Sequence, residues 1–163
     1  MENQLLISKP RLYQPTLRTF QFSKPAPDLS VILVCWNNKN YLEACLHSLY
    51  EANLHSRFEV VVVDNGSTDG SQAMLQEHFP EVQLIENASN VGLGKASNQG
   101  IAATSGRYIL LLNNDTIVNG PSLDAMVALL DAIPAAGGAG GRLLNSDGSF
   151  QAGYAKFSTL REE

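Results

Sequence analysis

The sequence predicts an α/β domain, a doubly wound, mostly parallel sheet with flanking helices, and three observations carry that reading. Strand-like and helical segments alternate along the chain, four of each, in the order strand, helix, strand, helix. The stronger strand segments are continuous apolar runs without polar alternation, the pattern of strands covered on both faces. Asn, Asp, Gly and Pro cluster between the segments, where crossovers of the usual right hand would be made.

Taken in order, residues 1–28 carry Pro10, Pro15, Pro25 and Pro27 without sustained periodicity and read as an N-terminal arm, with a short strand near residues 18–22. Residues 30–36 (SVILVCW), 58–64 (FEVVVVD) and 108–113 (YILLLN) are the apolar runs, and residues 82–86 (VQLIE) are a weaker strand. Residues 40–52 place Leu42, Cys45, Leu46 and Leu49 at three- and four-residue spacing, which predicts a helix with one buried face. Residues 71–79, with Met74, Leu75 and His78, and residues 91–104 read as two more. The helix over 122–133 is opened by Pro121 and closed near Pro134. Residues 137–154 are glycine-rich and read as extended and irregular.

Composition limits the function classes. The chain has 163 residues, 44% of them hydrophobic, enough for one domain that buries about 68–70% of its unfolded surface. Sixteen acidic residues against eleven basic ones give a net charge of −5, and the basic residues are scattered. Without a basic stripe to neutralise phosphates, nucleic acid is not an expected partner. No apolar run approaches the ~20 residues of a membrane helix, and no secretory leader is evident, so a cytoplasmic location is expected. Cys35 and Cys45 read as two buried, reduced thiols.

In open α/β sheets ligands gather beyond the carboxyl ends of the strands. The first strand run is followed by Asn37 and Asn38, the second ends in Asp64 and runs into NGSTDG, and the last leads into Asn113, Asn114 and Asp115. Two readings stand for these clusters. Asp, Asn, Ser and Thr cap helices and close turns. An apolar strand that delivers an uncapped carboxylate into a loop, twice, also suits a ligand site, because an Asp among amides holds a hard cation whose other positions take phosphate and water.

Competing motifs fail on particular residues. The segment around Gly94 and Lys95 has Ser89 in place of the first glycine of a phosphate loop and Ala96 where its Ser or Thr belongs. A dinucleotide fingerprint would follow the first strand, where Asn37, Asn38 and Lys39 stand instead. A calcium loop starting at Asp64 would need Glu where Leu75 stands. His47, His55 and His78 have no metal-ligand spacing and read as ordinary helix or loop residues.

Five ordered blocks between Leu29 and Tyr154 resemble the family 2 glycosyltransferases, nucleotide-sugar-dependent enzymes of the GT-A fold, and most of all their rhamnosyltransferase-like branch. The blocks are SVILVCWNNKNYLEACLHSL, VVVDNGSTDGS, NVGLGKASNQGI, RYILLLNNDTIV and GGRLLNSDGSFQAGY. The resemblance implies a GT-A nucleotide-sugar-binding domain over 29–163. Val34 and Trp36 would line the base pocket and Asp64 would read the imide edge of a pyrimidine. Asp115 would bind Mg2+ or Mn2+ on the donor diphosphate, and Asn114, where the family often has Asp, would face the ribose. Lys95 and Asn98 fall in the block beneath the donor, where Lys95 either approaches phosphate or stays solvated.

The implied partners are a UDP- or dTDP-sugar donor and a carbohydrate or lipid-linked acceptor, with inversion at the anomeric carbon. The family takes its catalytic base from a later Glu-Asp block, and the chain ends at Glu163. The resemblance therefore implies a domain truncated before the acceptor-binding half. No catalytic base is assigned to Asp124, Asp131 or Asp147, and a sheet edge left unpaired would favour self-association. The alternatives are a non-catalytic nucleotide-binding or interaction module and an α/β domain whose Asp and Asn residues are caps only.

Overall fold

The computed structural model describes residues 25–151. The strand expected near 18–22, most of the N-terminal arm and the last residues of the glycine-rich segment lie outside them. Within them the predicted alternation is present: β1 (Leu29–Cys35), α1 (Lys39–Glu51), β2 (Phe58–Asp64), α2 (Ser71–His78), β3 (Gln83–Glu86), α3 (Leu93–Ala103), β4 (Tyr108–Leu112) and α4 (Gly120–Ala132). The strands form one parallel sheet in the order β3-β2-β1-β4. The chain therefore starts in the middle of the sheet, works outward to β3, and crosses back to the other side of β1.

The period of two along each strand sorts the side chains onto two faces. On one face Val31, Leu33, Val60 and Val62 pack with Leu42, Leu46 and Leu49 of α1, Met74 and Leu75 of α2, and Leu123 and Val127 of α4. On the other, Val61 and Val63 pack against Ala96 of α3. Three helices thus cover one face and a single helix the other. Burying each of these Leu side chains contributes about 1.5–3 kcal/mol, so the α1 stripe read from the sequence is a main anchor of the first layer.

The weaker strand expected over 82–86 is present as the four-residue edge strand Gln83–Glu86. One strand expectation needs correction. The run over 108–113 is not covered on both faces: it ends at Leu112, and Ile109 and Leu111 are 46% and 58% exposed. The reason is positional. α3 packs on β1 and β2, and its width does not reach β4 at the edge of the sheet. Helix α4 begins at Gly120, two residues before the expected start at 122, where the Asn119 side chain caps it by accepting from the Ser122 N–H at 3.2 Å. Residues 137–151 are irregular, as expected, apart from one antiparallel bridge between Leu144 and Phe150.

Both cysteines are buried and free, as the sequence predicts. Burial pushes the Cys45 thiol up to about 11. The N-terminal end of the sheet is closed by Glu59, whose carboxylate accepts from the Ser30 hydroxyl at 2.6 Å and the Ser105 and Gly106 N–H groups at 2.7 and 3.1 Å. Burial raises its pKa, but these donors together outweigh it and hold Glu59 below the ordinary value.

Candidate functional site

The strand order places a switch point between β1 and β4: from β1 the chain proceeds to β2 on one side and returns to β4 on the other. There the carboxyl ends of two parallel strands diverge into separate loops, and a cleft of about 170 Å³ opens between them. Val34 of β1, Leu112 at the end of β4, Asn113, Asn114 and Asp115 after it, and Leu93 and Ser97 of α3 line it. The sequence expectations for Val34, Asn114 and Asp115 thus fall on one cleft.

Asn114 is buried, and its amide donates to the Val34 carbonyl at 3.1 Å. That bond extends the β1–β4 pairing past Leu33 and Leu112, the last paired residues. It fixes the direction in which the next residue leaves the sheet. Asp115 is exposed at the cleft. Among the described residues no group of three or more His, Cys, Asp or Glu side chains could hold a metal by itself. One exposed carboxylate fits the other way of binding Mg2+ or Mn2+, in which one or two protein oxygens share the ion with substrate phosphates and water.

Asp64 ends β2 beside Cys35 and is wholly buried. Its Oδ2 accepts from the Ser67 N–H at 3.0 Å and from Gln72 Nε2 at 2.7 Å. Its Oδ1 is buried with no hydrogen-bond partner, the one such side-chain atom among the described residues. An unpaired buried acceptor costs roughly 1–3 kcal/mol, and more when charged. The expectation of an uncapped carboxylate is therefore corrected by half: one oxygen closes the turn, and the other is left over.

The loops after β1 and β2 hold each other. Asn37, in the left-handed region at φ 53°, accepts from the Thr68 N–H at 2.8 Å, while its own N–H donates to the Ser67 hydroxyl at 2.9 Å. Asn tolerates that conformation better than most residues. Asp69 does the capping: it takes the Ser71 N–H at 3.1 Å at the start of α2 and the Lys39 N–H at 2.8 Å at the start of α1. Burial raises its pKa, but these bonds and the Ser71 hydroxyl hold it below the ordinary value. Gly66 sits at φ 76°, and a Cβ there would lie 2.9 Å from the Ser89 Cα, so the loop also presses against the start of the α3 connection.

Trp36 is 54% exposed just beyond β1, outside the cleft lining. Lys95 and Asn98 are exposed on α3, and the α3 residues that line the cleft are Leu93 and Ser97. The sequence reading missed these two, although their four-residue spacing marks one helix face. It also missed Gln72, which no strand-end argument selects because the residue lies inside a helix.

The other carboxylates have structural partners. Asp124 accepts from the His55 and Ser56 N–H groups at 3.0 and 3.1 Å, and Asp131 binds Arg107 and the Tyr108 hydroxyl. Asp147 closes a turn on the Ser149 N–H at 2.9 Å. The histidines behave as ordinary residues: His55 pairs with Asp124, His78 with Glu43, and His47 lies edge-on to Phe79.

Residues 30–162 match the model of Glycosyl transferase family 2. The chain belongs to this family. Over 128 residues it is 31% identical to an N-acetylglucosaminyltransferase of Bradyrhizobium elkanii, covering 74% of this chain and 69% of that one. Over 95 residues it is 34% identical to the chondroitin synthase of Escherichia coli, covering 56% of this chain but 14% of the synthase. Its match to the other glycosyltransferases of this group likewise spans between 13% and 36% of their length.

Two solved structures share the family's GT-A architecture with it. S. aureus TarS 1-349 in complex with UDP superimposes with a TM-score of 0.59 at 28% identity, covering 64% of this chain and 32% of TarS. The mannosyltransferase PcManGT of Pyrobaculum calidifontis, in complex with GDP-Man and Mn2+, gives 0.58 at 26% identity, covering 66% and 33%. The parallel sheet and flanking helices are those of a GT-A glycosyltransferase.

Proposed function

We propose that this family 2 glycosyltransferase chain forms the donor site for a nucleoside-diphosphate sugar at the β1–β4 switch point. The observation that carries the reading is the pair of unlike carboxylates at the carboxyl ends of β2 and β4, the two strands that flank β1: Asp64, buried with one oxygen unpartnered, and Asp115, exposed at the cleft. Asp64 would accept the imide N–H of the base, with Val34 and Trp36 along the base and Asn114 toward the ribose. Asp115 would hold Mg2+ or Mn2+ together with the diphosphate, and the ion would supply positive charge against the charge growing on the leaving group. Lys95, the one basic residue of α3, is the candidate on that helix for the phosphates. The neighbours solved with UDP and with GDP-Man and Mn2+ support a donor of this class and a divalent ion.

The reaction proposed is transfer with inversion. The acceptor hydroxyl oxygen bonds to the anomeric carbon as the bond from that carbon to the diphosphate breaks and its electron pair leaves on the diphosphate. A base removes the hydroxyl proton. Asp124, Asp131 and Asp147 are not assigned that task, because each is engaged away from the cleft. The acceptor proposed is a carbohydrate or a lipid-linked glycan, consistent with a role in polysaccharide biosynthesis.

The test is calorimetric titration of UDP, dTDP and GDP with and without Mn2+, on the wild type and on Asp115→Ala. Manganese-dependent binding that Asp115→Ala abolishes is expected. Binding that ignores both the ion and the substitution overturns the assignment of Asp115, and no binding of any nucleotide overturns the donor site.

A further inference from the structure

We propose that Gln72 is a positioning residue that decides which nucleobase edge the site accepts, by holding Asp64 so that only its Oδ1 is left for a ligand. The inference rests on the reading of Asp64 as the base-binding carboxylate. Gln72 lies in the first turn of α2, and its side chain reaches back over the loop that joins β2 to that helix. Its Nε2 donates to Asp64 Oδ2 at 2.7 Å and to the Ser67 carbonyl at 2.9 Å. A side-chain amide has two N–H donors, and both are spent here. The Nε2 of Gln72 therefore has nothing left to give a ligand, and it acts on one through Asp64.

The backbone of Asp64 is held independently. Its carbonyl accepts from the Asn87 N–H at 2.9 Å, and the Asn65 N–H next to it donates to the Cys35 carbonyl at 2.8 Å. Asn87 is locked in turn by a reciprocal amide pair with Gln99, at 2.9 Å in both directions, and its Nδ2 also donates to Asn65 Oδ1 at 3.1 Å. What remains free is the rotation of the Asp64 carboxylate about its last torsion, which is broad and two-fold. The Ser67 N–H alone would hold one oxygen by one bond. The second donor from Gln72 fills Oδ2 and commits Oδ1 as a bare acceptor.

Oδ1 is covered from solvent, so nucleotide entry has to uncover it, and the atom uncovered is one that takes a donor and offers none. Uracil, thymine and guanine each carry a ring N–H beside a carbonyl. Cytosine presents a bare nitrogen lone pair at the corresponding place and is rejected by an acceptor that cannot turn away. Discrimination against cytosine then depends on Gln72 although Gln72 does not touch the base.

The experiment measures the dissociation constants of UDP, dTDP, GDP and CDP in Mn2+ for the wild type, Gln72→Met, Gln72→Leu and Asp64→Asn, with the melting temperature of each protein alone. Gln72→Met keeps the length without the donors. Gln72→Leu also lacks the donors, on a shorter branched side chain, and serves if the Met variant does not fold. The expected result for either is about a tenfold loss for the tightest of the three imide nucleotides with CDP unchanged within twofold, so that discrimination collapses. Equal weakening of all four nucleotides marks a merely structural role and overturns the inference. Discrimination lost in Asp64→Asn but intact in both Gln72 variants overturns it while leaving the base-binding role of Asp64 standing. A wild type that binds none of the imide nucleotides overturns both.

Discussion

Replacing Asp64 by Asn exchanges one carboxylate oxygen for an amide at constant volume, and the structure says which oxygen. The Ser67 N–H and Gln72 Nε2 both require an acceptor, at 3.0 and 2.7 Å, so the Asn oxygen takes the place of Oδ2. The new NH2 group then lies where Oδ1 lies now, buried and unpartnered. Two hydrogen bonds to a carboxylate become hydrogen bonds to a neutral amide, a loss of about 1 kcal/mol each. The unpaired buried oxygen gives way to an NH2 group that is equally unpaired, so that cost of roughly 1–3 kcal/mol stands on both sides and does not offset the loss. The net loss of about 2 kcal/mol lowers the melting temperature of a domain of this size by about 4–8 °C. Binding changes far more. A hydrogen bond to a charged partner contributes roughly 1.5–3 kcal/mol, so UDP should bind about 10- to 150-fold more weakly. CDP, whose ring nitrogen accepts, should gain on it. The assay is titration of UDP and CDP in Mn2+ beside thermal melts of the free protein. An unchanged UDP affinity refutes the reasoning, and so does a melting temperature more than 10 °C lower with both nucleotides weakened alike, which would make Asp64 a structural residue.

Two further predictions concern the frame around the site. Asp124 ties α4 to the loop before β2 through four hydrogen bonds to His55 and Ser56. The His55 N–H is the largest of the causes that hold Asp124 well below the usual carboxylate range. Its folded pKa is depressed, so the stabilisation is present at neutral pH and is lost as pH falls below the unfolded value of about 3.9. Asp124→Ala should therefore melt several degrees below the wild type at pH 7, and paired melts should show the gap closing in strong acid. Gly120 opens α4 where a Cβ would overlap the Ala52 carbonyl oxygen. Gly120→Ala should lose roughly 1–3 kcal/mol to overpacking despite the better helix propensity of Ala. Gly137→Ala, with open space around it, should leave the denaturant midpoint unchanged.

The frame of this domain was legible in the residues because its signals are local and strong. The apolar runs of β1 and β2 lie at the centre of the sheet, and the spacing of Leu42, Cys45, Leu46 and Leu49 reports one buried helix face. The run in β4 misled because composition does not reveal whether a strand is central or at an edge. Ile109 and Leu111 look like core residues and are exposed. The site was legible only as strand ends. That Val34, Asn114 and Asp115 share a cleft follows from the strand order, and the order of a parallel sheet is set by packing that no short segment encodes. Gln72 was invisible for a related reason: a polar residue in the first turn of a helix reads as solvated until the loop before it is seen to fold back.

On the proposed function, the contrast between the two strand-end carboxylates suits the two tasks a donor site would give them. A neutral N–H donor is worth most to an acceptor removed from water, since competing hydration would cancel the gain. Asp64 supplies that environment by ending a strand inside the sheet, with its second oxygen already used. A divalent ion has the opposite requirement. It dehydrates reluctantly and keeps several waters, so it needs a carboxylate at the surface, and Asp115 at the margin of the edge strand β4 is one. Exchanging the environments would spoil both proposed roles: an exposed Asp64 would bind water as readily as a base, and a buried Asp115 would strip an ion of its hydration. The edge position of β4, which leaves Leu111 exposed, is thus the same feature that leaves Asp115 open to a hydrated cation.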